Sequence, residues 1–340
     1  MKNHKTKKFL IISTVFCALG IVLFASGIAA GGREYIRNTD LNTYNGSFSS
    51  EKSDSNHAIL EKKKIDSFQN LNADLKHMDF SVRESDDENY YLSYNVETVK
   101  GVIPVSWQVE NGTLNLLEKN GHSASGYMQI DIGFLQNLLT DGHISDDADV
   151  IENQIVVYIP HEQMLENFSC QMNEGDFTLD SLNCQNFQLQ TDLGDISLTN
   201  LDVRNGSVSD KDGDISIIDS SLENMTLNTS LGDLSVEKSG FTDSTLALSS
   251  GDAQLSDVSF NNNCQITLKM GDIDLSVPEK NLNTLVFSLN TNMGDIDVPD
   301  DLNGKIVSTD DKGIYKKESS NSQNHLSVKS DYGDISIRHS

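Results

Sequence analysis

The sequence predicts an all-β protein, a parallel β-solenoid with coils of about 19 residues, preceded by one N-terminal transmembrane helix. Two observations predict the solenoid: the pair Gly-Asp recurs at a nearly constant spacing, and apolar residues follow each pair at fixed positions. A third predicts the membrane helix, because a long uncharged apolar run follows the first basic residues. Only 37% of the 340 residues are apolar, so we expect a thin, repetitive core.

The repeat is marked by glycine. A Gly precedes an Asp at positions 175, 194, 213, 232, 251, 271, 294 and 333, with gaps of 19, 19, 19, 19, 20, 23 and 39 residues. The last gap splits into 19 and 20 if Gly313 is counted as a degenerate marker. The nine markers then define eight coils and a final half coil, and a stacking distance of about 4.8 Å gives a rod of about 38 Å.

Each marker is followed by apolar positions that alternate as in a strand with one buried face. The second and fourth residues after the Gly are apolar in every repeat, as in Ile196 and Leu198 or Ile215 and Ile217. A second inward set lies nine and fourteen residues after the Gly. The ninth position holds Cys184, Val203, Leu222, Phe241 and Phe260, and the fourteenth holds Leu189, Val208, Leu227 and Leu246, with Ile266 following a one-residue insertion.

The N-terminus divides into three segments. Residues 1–8 form a basic tail, residues 9–30 form an uncharged apolar run that as a helix would span about 33 Å, and residues 31–61 form a polar juxtamembrane spacer. The basic flank predicts that the tail stays in the cytoplasm and that the C-terminal domain is extracellular, anchored in the cell membrane by a single pass. A cleaved signal peptide is the alternative, but the apolar run is longer than usual for one.

The solenoid is expected over residues 62–340. Within it, residues 62–153 contain short alternating stretches with irregular spacing, which we interpret as irregular first coils, and residues 154–340 contain the regular Gly-Asp repeats. Asn111-Gly112 is typical of a hairpin turn. Residues 132–139 could form a short inserted helix.

The net charge of the chain limits the kinds of molecule that the protein can bind. The formal net charge is −26, with 51 acidic and 25 basic residues, and four of the bases precede the apolar run. The extracellular part therefore carries a charge near −30, which argues against nucleic acid and favours cationic partners. The alternative is that the acidity serves solubility alone.

The Asp of each marker is the candidate site residue. Stacked coils would place the eight carboxylates in a ladder about 5 Å apart, a spacing that raises their pKa values or attracts counter-cations such as calcium. The eight are Asp176, Asp195, Asp214, Asp233, Asp252, Asp272, Asp295 and Asp334. A structural corner, in which each carboxylate accepts a backbone N–H, is favoured over calcium because no further liganding Asp recurs beside the pair. No other cofactor is expected.

Other reactive residues favour structural roles. Cys170, Cys184 and Cys264 occupy positions held by apolar residues in other coils, so they are expected to be buried thiols, with a Cys170–Cys184 disulfide as the alternative. The aromatic cluster of the first region is expected to join the core; a ligand patch is the alternative. It comprises Tyr90, Tyr91, Tyr94 and Trp107. The lysine runs 62–64 and 316–317 are expected to be solvated.

An enzyme is not expected. No histidine lies between His161 and His325, and the bases between residues 175 and 300 are scattered over the repeat positions. These bases are Arg204, Lys211, Lys238, Lys269 and Lys280. A polysaccharide lyase or hydrolase would need such groups beside a carboxylate pair.

A family resemblance covers residues 62–338. The Lys-rich start, the apolar span ending in Gly-Gly, the segment "KIDSFQNLNADLKHMDFSV", the "VYIP" element and the iterated "GDI" followed by an alternate apolar residue together resemble the DUF4097 family, described as putative adhesins of Gram-positive surfaces. The resemblance implies a membrane-anchored surface β-solenoid. Some relatives accompany Lia-type envelope-stress systems that respond to cationic peptides.

The function expected is therefore non-enzymatic: adhesion, or sensing of envelope stress, through an acidic solenoid. Cationic peptides or other envelope proteins are the expected partners. The alternative is an envelope scaffold that self-associates through the solenoid edges, because the terminal "YGDISIRHS" leaves the last coil without an obvious cap. A carbohydrate-active enzyme is a third, weaker hypothesis.

Overall fold

The structure, a computed structural model, describes residues 57–98, 101–119, 153–161, 163–309, 312–318 and 322–340. All of them belong to one compact unit. The basic tail, the transmembrane helix 9–30, most of the spacer and the helix expected at 132–139 lie outside the described residues. Among the residues that are described, no helix is long and apolar enough to cross a membrane.

The described chain is built almost entirely of strands. In order they are β1 (His57–Ile65), β2 (Asn70–His77), β3 (Asp79–Ser85), β4 (Tyr90–Glu97), β5 (Val105–Glu110), β6 (Thr113–Glu118), β7 (Gln154–Pro160), β8 (Met164–Glu174), β9 (Phe177–Leu179), β10 (Leu182–Leu193), β11 (Ile196–Thr199), β12 (Leu201–Asp212), β13 (Ile215–Ile218), β14 (Ser221–Glu223), β15 (Met225–Leu231), β16 (Leu234–Glu237), β17 (Gly240–Thr242), β18 (Thr245–Ser250), β19 (Ala253–Ser256), β20 (Ser259–Asn261), β21 (Asn263–Met270), β22 (Ile273–Val277), β23 (Val286–Met293), β24 (Ile296–Asp297), β25 (Lys305–Thr309), β26 (Lys312–Lys317), β27 (His325–Tyr332) and β28 (Ile335–His339). A short helix α1 (Glu279–Thr284) and a 3-10 turn (Asp300–Leu302) precede β23 and β25.

The strands form two long sheets. The first has 12 strands in the order β1-β4-β7-β3-β9-β11-β13-β16-β19-β22-β28-β24, and the second has 16, of which 13 follow the order β25-β26-β23-β27-β21-β18-β15-β12-β10-β8-β2-β6-β5. The remaining three, β14, β17 and β20, pair with one another beside β12. Each regular coil contributes one short strand to the first sheet and one longer strand, whole or divided in two, to the second.

The predicted repeat is confirmed by the pairing register. Ile196 pairs with Ile215 in parallel, and Ile215 with Leu234, each 19 residues further along the chain. The ninth and fourteenth positions stack in the same way: Cys184 lies opposite Val203, and Leu189 lies opposite Val208. Parallel stacking follows because the alternating apolar residues of one coil are buried only if the next coil repeats them at the same place.

The core is one continuous apolar column inside the coils. Aromatic rings stack along it, with ring centroids 4.7 Å apart for Phe168 and Phe187 and 6.1 Å apart for Phe241 and Phe260. Cys170, Cys184 and Cys264 are buried free thiols in this column, as predicted.

The coils do not stack in chain order at the two ends. The coil of β2 and β3 pairs directly with β8 and β9, while β6 and β7, which follow it in the chain, form a further layer outside it. Residues 62–153 are therefore not a simple series of first coils. β1 begins at His57, inside the segment assigned to the spacer, and pairs antiparallel with β4, which covers the outer edge of β7. Asn111 and Gly112, both with positive φ, form the predicted turn between β5 and β6.

The C-terminal end corrects two sequence predictions. Gly313 does not start a coil, because it lies in β26, which runs antiparallel to β23. The last coil, β27 and β28, is not exposed at the end either: it is inserted between β21–β22 and β23–β24. The cap is formed by β23, β24 and the antiparallel pair β25–β26, which precede the last coil in the sequence.

Candidate binding surface at the Gly-Asp corner

The Gly of each marker occupies a corner where two backbones meet. Gly232 has φ +124°, and a Cβ on it would overlap the carbonyl oxygen of Gly213 in the preceding coil. The same overlap recurs along the stack, as for Gly251 against Gly232. The sequence repeats Gly here because the adjacent coil leaves no room for a side chain and, at every marker except Gly213 and Gly294, because L side chains rarely adopt such a φ.

The Asp of each marker joins its coil to the next one. One carboxylate oxygen of Asp195 accepts the backbone N–H of Asp214 at 2.9 Å, and that of Asp214 accepts the N–H of Asp233 at 2.8 Å. Eight such bonds of 2.7–2.9 Å link nine residues. In stacking order these are Asp79, Asp176, Asp195, Asp214, Asp233, Asp252, Asp272, Asp334 and Asp295, hereafter the Asp column.

The structure brings together all eight predicted Asp residues and adds Asp79. Asp79 lacks the preceding Gly, but Met78-Asp79 is followed by Phe80 and Val82, the same apolar pattern two and four positions after the marker. That pattern was the signal by which Asp79 could have been found. Its carboxylate accepts the N–H of Asp176 at 2.9 Å.

The hydrogen bonds give the Asp column the structural role predicted for the corner. Each carboxylate accepts a backbone N–H, and that N–H belongs to the neighbouring coil. Such bonds satisfy backbone donors at a bend where no strand neighbour reaches them. No group of three or more His, Cys, Asp or Glu side chains in the described part of the chain is arranged to hold a metal ion. Calcium binding along the column stays a prediction.

An apolar column, which the sequence analysis did not single out, runs beside the Asp column. The residue before each marker Gly stacks in register, and in the C-terminal half these residues are large and exposed. Leu231 is 51% exposed, Met270 54%, Tyr332 58% and Met293 54%. These four residues are hereafter the apolar ridge; Ser250 lies between Leu231 and Met270.

The family model described as Toastrack DUF4097 matches residues 68–338, most of the chain. The chain belongs to the DUF4097 family. The resemblance drawn from the Gly-Asp repeat is thereby confirmed. No curated protein matches the chain in sequence.

Several solved structures resemble this DUF4097 chain at low identity. A putative cell adhesion protein from Clostridium sporogenes has 8% identity and a TM-score of 0.28, with 84% of this chain and 99% of that one covered. A putative lipid binding protein from Parabacteroides distasonis has 13% identity and a TM-score of 0.45, with coverages of 84% and 98%. A putative adhesin from Bacteroides fragilis has 13% identity and a TM-score of 0.33, with coverages of 83% and 97%. Similarity at this level does not assign a function.

A second corner of the DUF4097 solenoid carries an amide ladder. The side-chain amide of Asn186 donates to the side-chain oxygen of Asn167 at 3.0 Å, and that of Asn205 donates to Asn186 at 3.4 Å. These residues line a shallow groove of about 430 Å³, in which Gly206 leaves space that Met225 partly fills. The ladder was missed because Asn is common in any polar turn and stands at no marked spacing from the Gly until the coils are aligned.

The sheet between these two corners has an uncharged strip on its outer face, hereafter the uncharged face. Beyond it, toward the Gly-Asp corner, the third outward position holds Asp192, Lys211 and Lys269 in β10, β12 and β21. The two outward positions nearer the amide ladder in β8, β10, β12, β15, β18 and β21 carry hydroxyl, amide or small side chains and no charge. They are Ser169, Gln171, Gln188, Gln190, Ser207, Ser209, Thr226, Asn228, Thr245, Ala247, Gln265 and Thr267. The fold therefore leaves this face neutral in a chain whose net charge is strongly negative.

One carboxylate points into the core. Asp210 is 2% exposed; one of its oxygens accepts a 2.8 Å hydrogen bond from Thr191, and the other is buried without a partner. Burial raises the pKa of Asp210 to about 6, although the bond from Thr191 opposes the shift. In the coils on either side, Thr191 and Thr229 occupy the same place, so Asp210 is the ionisable member of a buried polar column.

The remaining candidate residues have structural environments. Burial raises the pKa of Cys184 to about 11 and also raises that of Cys170, so both thiols stay protonated at neutral pH. Tyr90 is in the core, and Tyr94 and Trp107 pack against it, as predicted. Tyr91 does not join the core, because its side chain points outward and its hydroxyl donates to Asp87 at 2.7 Å.

Three of the lysines expected to be solvated make specific contacts, among them Lys63, whose Nζ lies 4.8 Å from the ring centroid of Trp107. Lys62 Nζ lies 4.4 Å from the ring centroid of Tyr158 and donates to Asp86 at 2.7 Å. Lys317 donates to the carbonyl oxygens of Leu282 and Asn283 at the end of α1, at 2.8 and 3.2 Å. Burial lowers the pKa of Lys317.

The carboxylate bond of the Asp column predicts a moderate loss of stability when one member is removed. Asp214→Ala leaves the N–H of Asp233 without its acceptor at an exposed corner, which we expect to cost about 1 kcal/mol in the free energy of unfolding. Asp214→Asn keeps an acceptor oxygen and should cost less. Urea unfolding of both variants measures the difference, and equal losses would show that charge rather than the hydrogen bond matters at this corner.

Proposed function

We propose that this DUF4097 protein is a non-enzymatic, membrane-anchored surface protein that senses cationic agents at the cell envelope through the Asp column. The observation that carries the proposal is the column itself: eight exposed carboxylates and the partly exposed Asp79, stacked one per coil along one corner. Neighbouring coils are about 4.8 Å apart, so a line of negative charge extends along the solenoid. Such a line attracts polycations and loses its attraction as salt is added.

The contacts of the carboxylates support the part of the proposal that the protein is not an enzyme. Those of the Asp column accept backbone hydrogen bonds, and no base stands at the matching position of the coils. The three His–carboxylate pairs of the described residues are dispersed over the surface: His77–Glu174, His161–Glu84 and His339–Asp301. An acid–base site needs such groups converging on one bond.

The scaffold alternative loses support from the edges of the sheets. The edge strand β1 carries Lys62, Lys63 and Lys64, and β25 begins with Lys305. Lysines on edge strands oppose pairing with another chain, and the edge strand β24 has only two residues.

Adhesion is the second candidate, and the uncharged face favours it. Eleven of its twelve side chains carry a hydroxyl or amide group and can exchange hydrogen bonds with a neutral hydroxyl-rich polymer, such as an uncharged polysaccharide, that a negatively charged face would not select. This candidate uses a different surface from the Asp column, so the two are separable by mutation.

The test measures binding of an oligolysine peptide to the full chain in phosphatidylcholine nanodiscs, with empty nanodiscs as the reference. We expect binding that weakens steeply with salt and weakens again in the triple variant Asp214→Asn, Asp233→Asn, Asp252→Asn. Asn keeps the acceptor for each corner N–H, so the fold is preserved.

The matched control removes the same charge elsewhere, with Asp202→Asn, Glu223→Gln and Asp257→Asn, all exposed and outside the Asp column. Equal losses in both triple variants would mean that net charge alone acts, and sensing at the corner would be rejected. A neutral glycan panel run in parallel tests adhesion, for which binding should survive the corner variant and be lost on Gln188→Arg in the uncharged face.

A further inference from the structure

The apolar ridge is a surface that the solenoid does not need for folding. Its four side chains are each more than half exposed, and three of them, on β21, β27 and β23, occupy adjacent strands. Large exposed apolar side chains that line up mark sites of interaction on soluble surfaces. The alignment is enforced by register, because Met270 and Met293 both pair with Tyr332.

We propose that the apolar ridge and the adjacent Asp column together bind an amphipathic, basic α-helix of a partner peptide or protein, laid parallel to the solenoid axis. The proposal rests on the proposed function in one respect, that the corner attracts cations, and adds the apolar contact and the helical form of the ligand. The apolar face of the helix would cover the ridge and its basic residues would face the column.

Charge selects the partner. Each ridge side chain in the C-terminal half is followed two residues later by an exposed member of the Asp column, so Met270 lies near Asp272, Tyr332 near Asp334, and Met293 near Asp295. Lys269 is the basic neighbour on the other side of Met270, where its Nζ lies 3.4 Å from Ser249 Oγ. A ligand with apolar and basic residues side by side matches both columns.

The same charge argues against two other occupants. A second copy of the chain would bring its own Asp column against this one, and an anionic membrane would meet the carboxylates as it approached the ridge. Both contacts place like charges together, which costs energy. A basic helix meets neither obstacle.

The spacing of the ridge side chains favours a helical ligand over an extended one. The ridge runs across the strands, so its side chains are about 4.8 Å apart per coil, and the five coils from Leu231 to Met293 span about 19 Å. A helix presents one side chain per turn of about 5.4 Å on a given face, close to this spacing, and about 13 residues cover 19 Å. An extended peptide repeats on one face about every 6.6 Å, which loses register after two coils. The unbranched side chains of Met270 and Met293 can adapt to the remaining mismatch.

The test compares two peptides of about 14 residues with the same Lys and Leu composition. One places Leu at helical spacing on a single face, and the other has the order scrambled so that no apolar face forms. Both are titrated against the full chain in phosphatidylcholine nanodiscs, with empty nanodiscs as the reference. We expect the amphipathic peptide to bind at least about tenfold more tightly than the scrambled one, because only it can cover the ridge.

Two variants locate the effect. Met270→Gln, Tyr332→Gln and Met293→Gln together should reduce binding of the amphipathic peptide to the level of the scrambled one and leave binding of oligolysine unchanged. The control, Ile59→Gln, Val102→Gln and Met164→Gln, changes three other exposed apolar residues and should leave the tenfold preference intact. All six side chains are substantially exposed, so both variants are expected to fold.

Several outcomes would overturn the inference. Equal affinity for the two peptides, or an unchanged preference in the ridge variant, would reject the ridge as a helix site even if oligolysine binds as proposed. A dimer in sedimentation that the ridge variant dissociates would assign the ridge to a second copy. Flotation of the chain with phosphatidylglycerol vesicles that the ridge variant abolishes would assign it to lipid. Loss of oligolysine binding alone, with the peptide preference kept, would reject the proposed function and leave an apolar helix site.

Discussion

Gly232→Ala is expected to destabilise the solenoid by about 3 to 5 kcal/mol. The substitution introduces a Cβ at φ +124°, which L residues rarely adopt, and places it against the carbonyl oxygen of Gly213. The neighbouring coil cannot move aside locally, because the N–H of Gly232 donates to Ser250 and the corner is held by the bond from Asp233 N–H to Asp214. Denaturant unfolding of the full chain in mild detergent measures the loss. Hydrogen exchange should be fastest in the coils that meet at residue 232.

Gly240→Ala is the matched control for Gly232→Ala. Gly240 belongs to the same part of the solenoid, but its φ is not in the left-handed region, and a Cβ there would meet only the hydroxyl of Ser259 at 3.1 Å. We expect a change within about 1 kcal/mol, with the loss of backbone freedom in the unfolded chain partly offsetting the tight contact. Similar losses for the two variants would show that the marker Gly residues are not specially required by the corner.

The regular coils could be predicted because the same constraint acts in each of them. Every coil must turn at a Gly and bury the second and fourth residues after it, so positions such as Ile196 and Ile215 reveal the strand when the repeats are aligned. The buried thiols followed from the same alignment. The pattern of a repeat shows which residues contact the neighbouring coils. In the interior of a solenoid each coil contacts only its neighbours, so these contacts are sufficient to predict the fold there.

The ends could not be predicted because their order depends on contacts between distant segments. Nothing local to Ile335 or Ile337 shows that this strand pairs with β22 on one side and with β24 on the other. Gly313 fits the spacing by coincidence, since the hairpin β25–β26 also needs a small residue where its side chain would meet Thr291 and Ile296. The residues of a cap depend on the coil that they cover, and the spacing of the Gly residues does not show which coil that is.

The candidate site was predictable in its carboxylates and not in its apolar half. The Asp residues recur in every marker, whereas the ridge position alternates between polar and apolar residues in the earlier coils, where Glu174, Asp212 and Ser250 flank and separate the exposed Leu193 and Leu231. It becomes apolar in adjacent strands only where the last coil is inserted out of order. Tyr332 lies between Met270 and Met293 in space, although it follows both in sequence. The ridge is thus a product of the end topology that the sequence alone did not reveal.

Asp210→Asn is expected to stabilise the protein at neutral pH by up to about 3 kcal/mol, the penalty that ionisation of the buried carboxylate imposes. Burial raises the pKa of Asp210 from 3.8 to about 6, so the folded state holds its proton over a range where the unfolded state has already lost it. The contribution of Asp210 to stability is therefore highest below about pH 4, falls as the pH rises toward 6, and stays at the lower level above it. Asn keeps an acceptor for Thr191 and cannot ionise, so this decline should disappear. Urea unfolding at pH 4, 5, 6 and 7.5 measures it.

The control and the neighbouring coils make the Asp210 prediction specific. Asp202→Asn, on the same strand β12 but exposed, should leave both the stability and its pH dependence within about 0.5 kcal/mol of the parent. Asp210→Thr should also stabilise at pH 7.5, because Thr191 and Thr229 already hold the same position in the adjacent coils. If Asp210→Asn and Asp202→Asn give the same pH profile as the parent, the carboxylate does not titrate inside the core. A loss of stability at pH 7.5 in both Asp210→Asn and Asp210→Thr would instead mean that the ionised carboxylate is stabilised in the core. A loss in Asp210→Asn alone would mean that the NH2 group of Asn finds no acceptor at the buried position of the second oxygen.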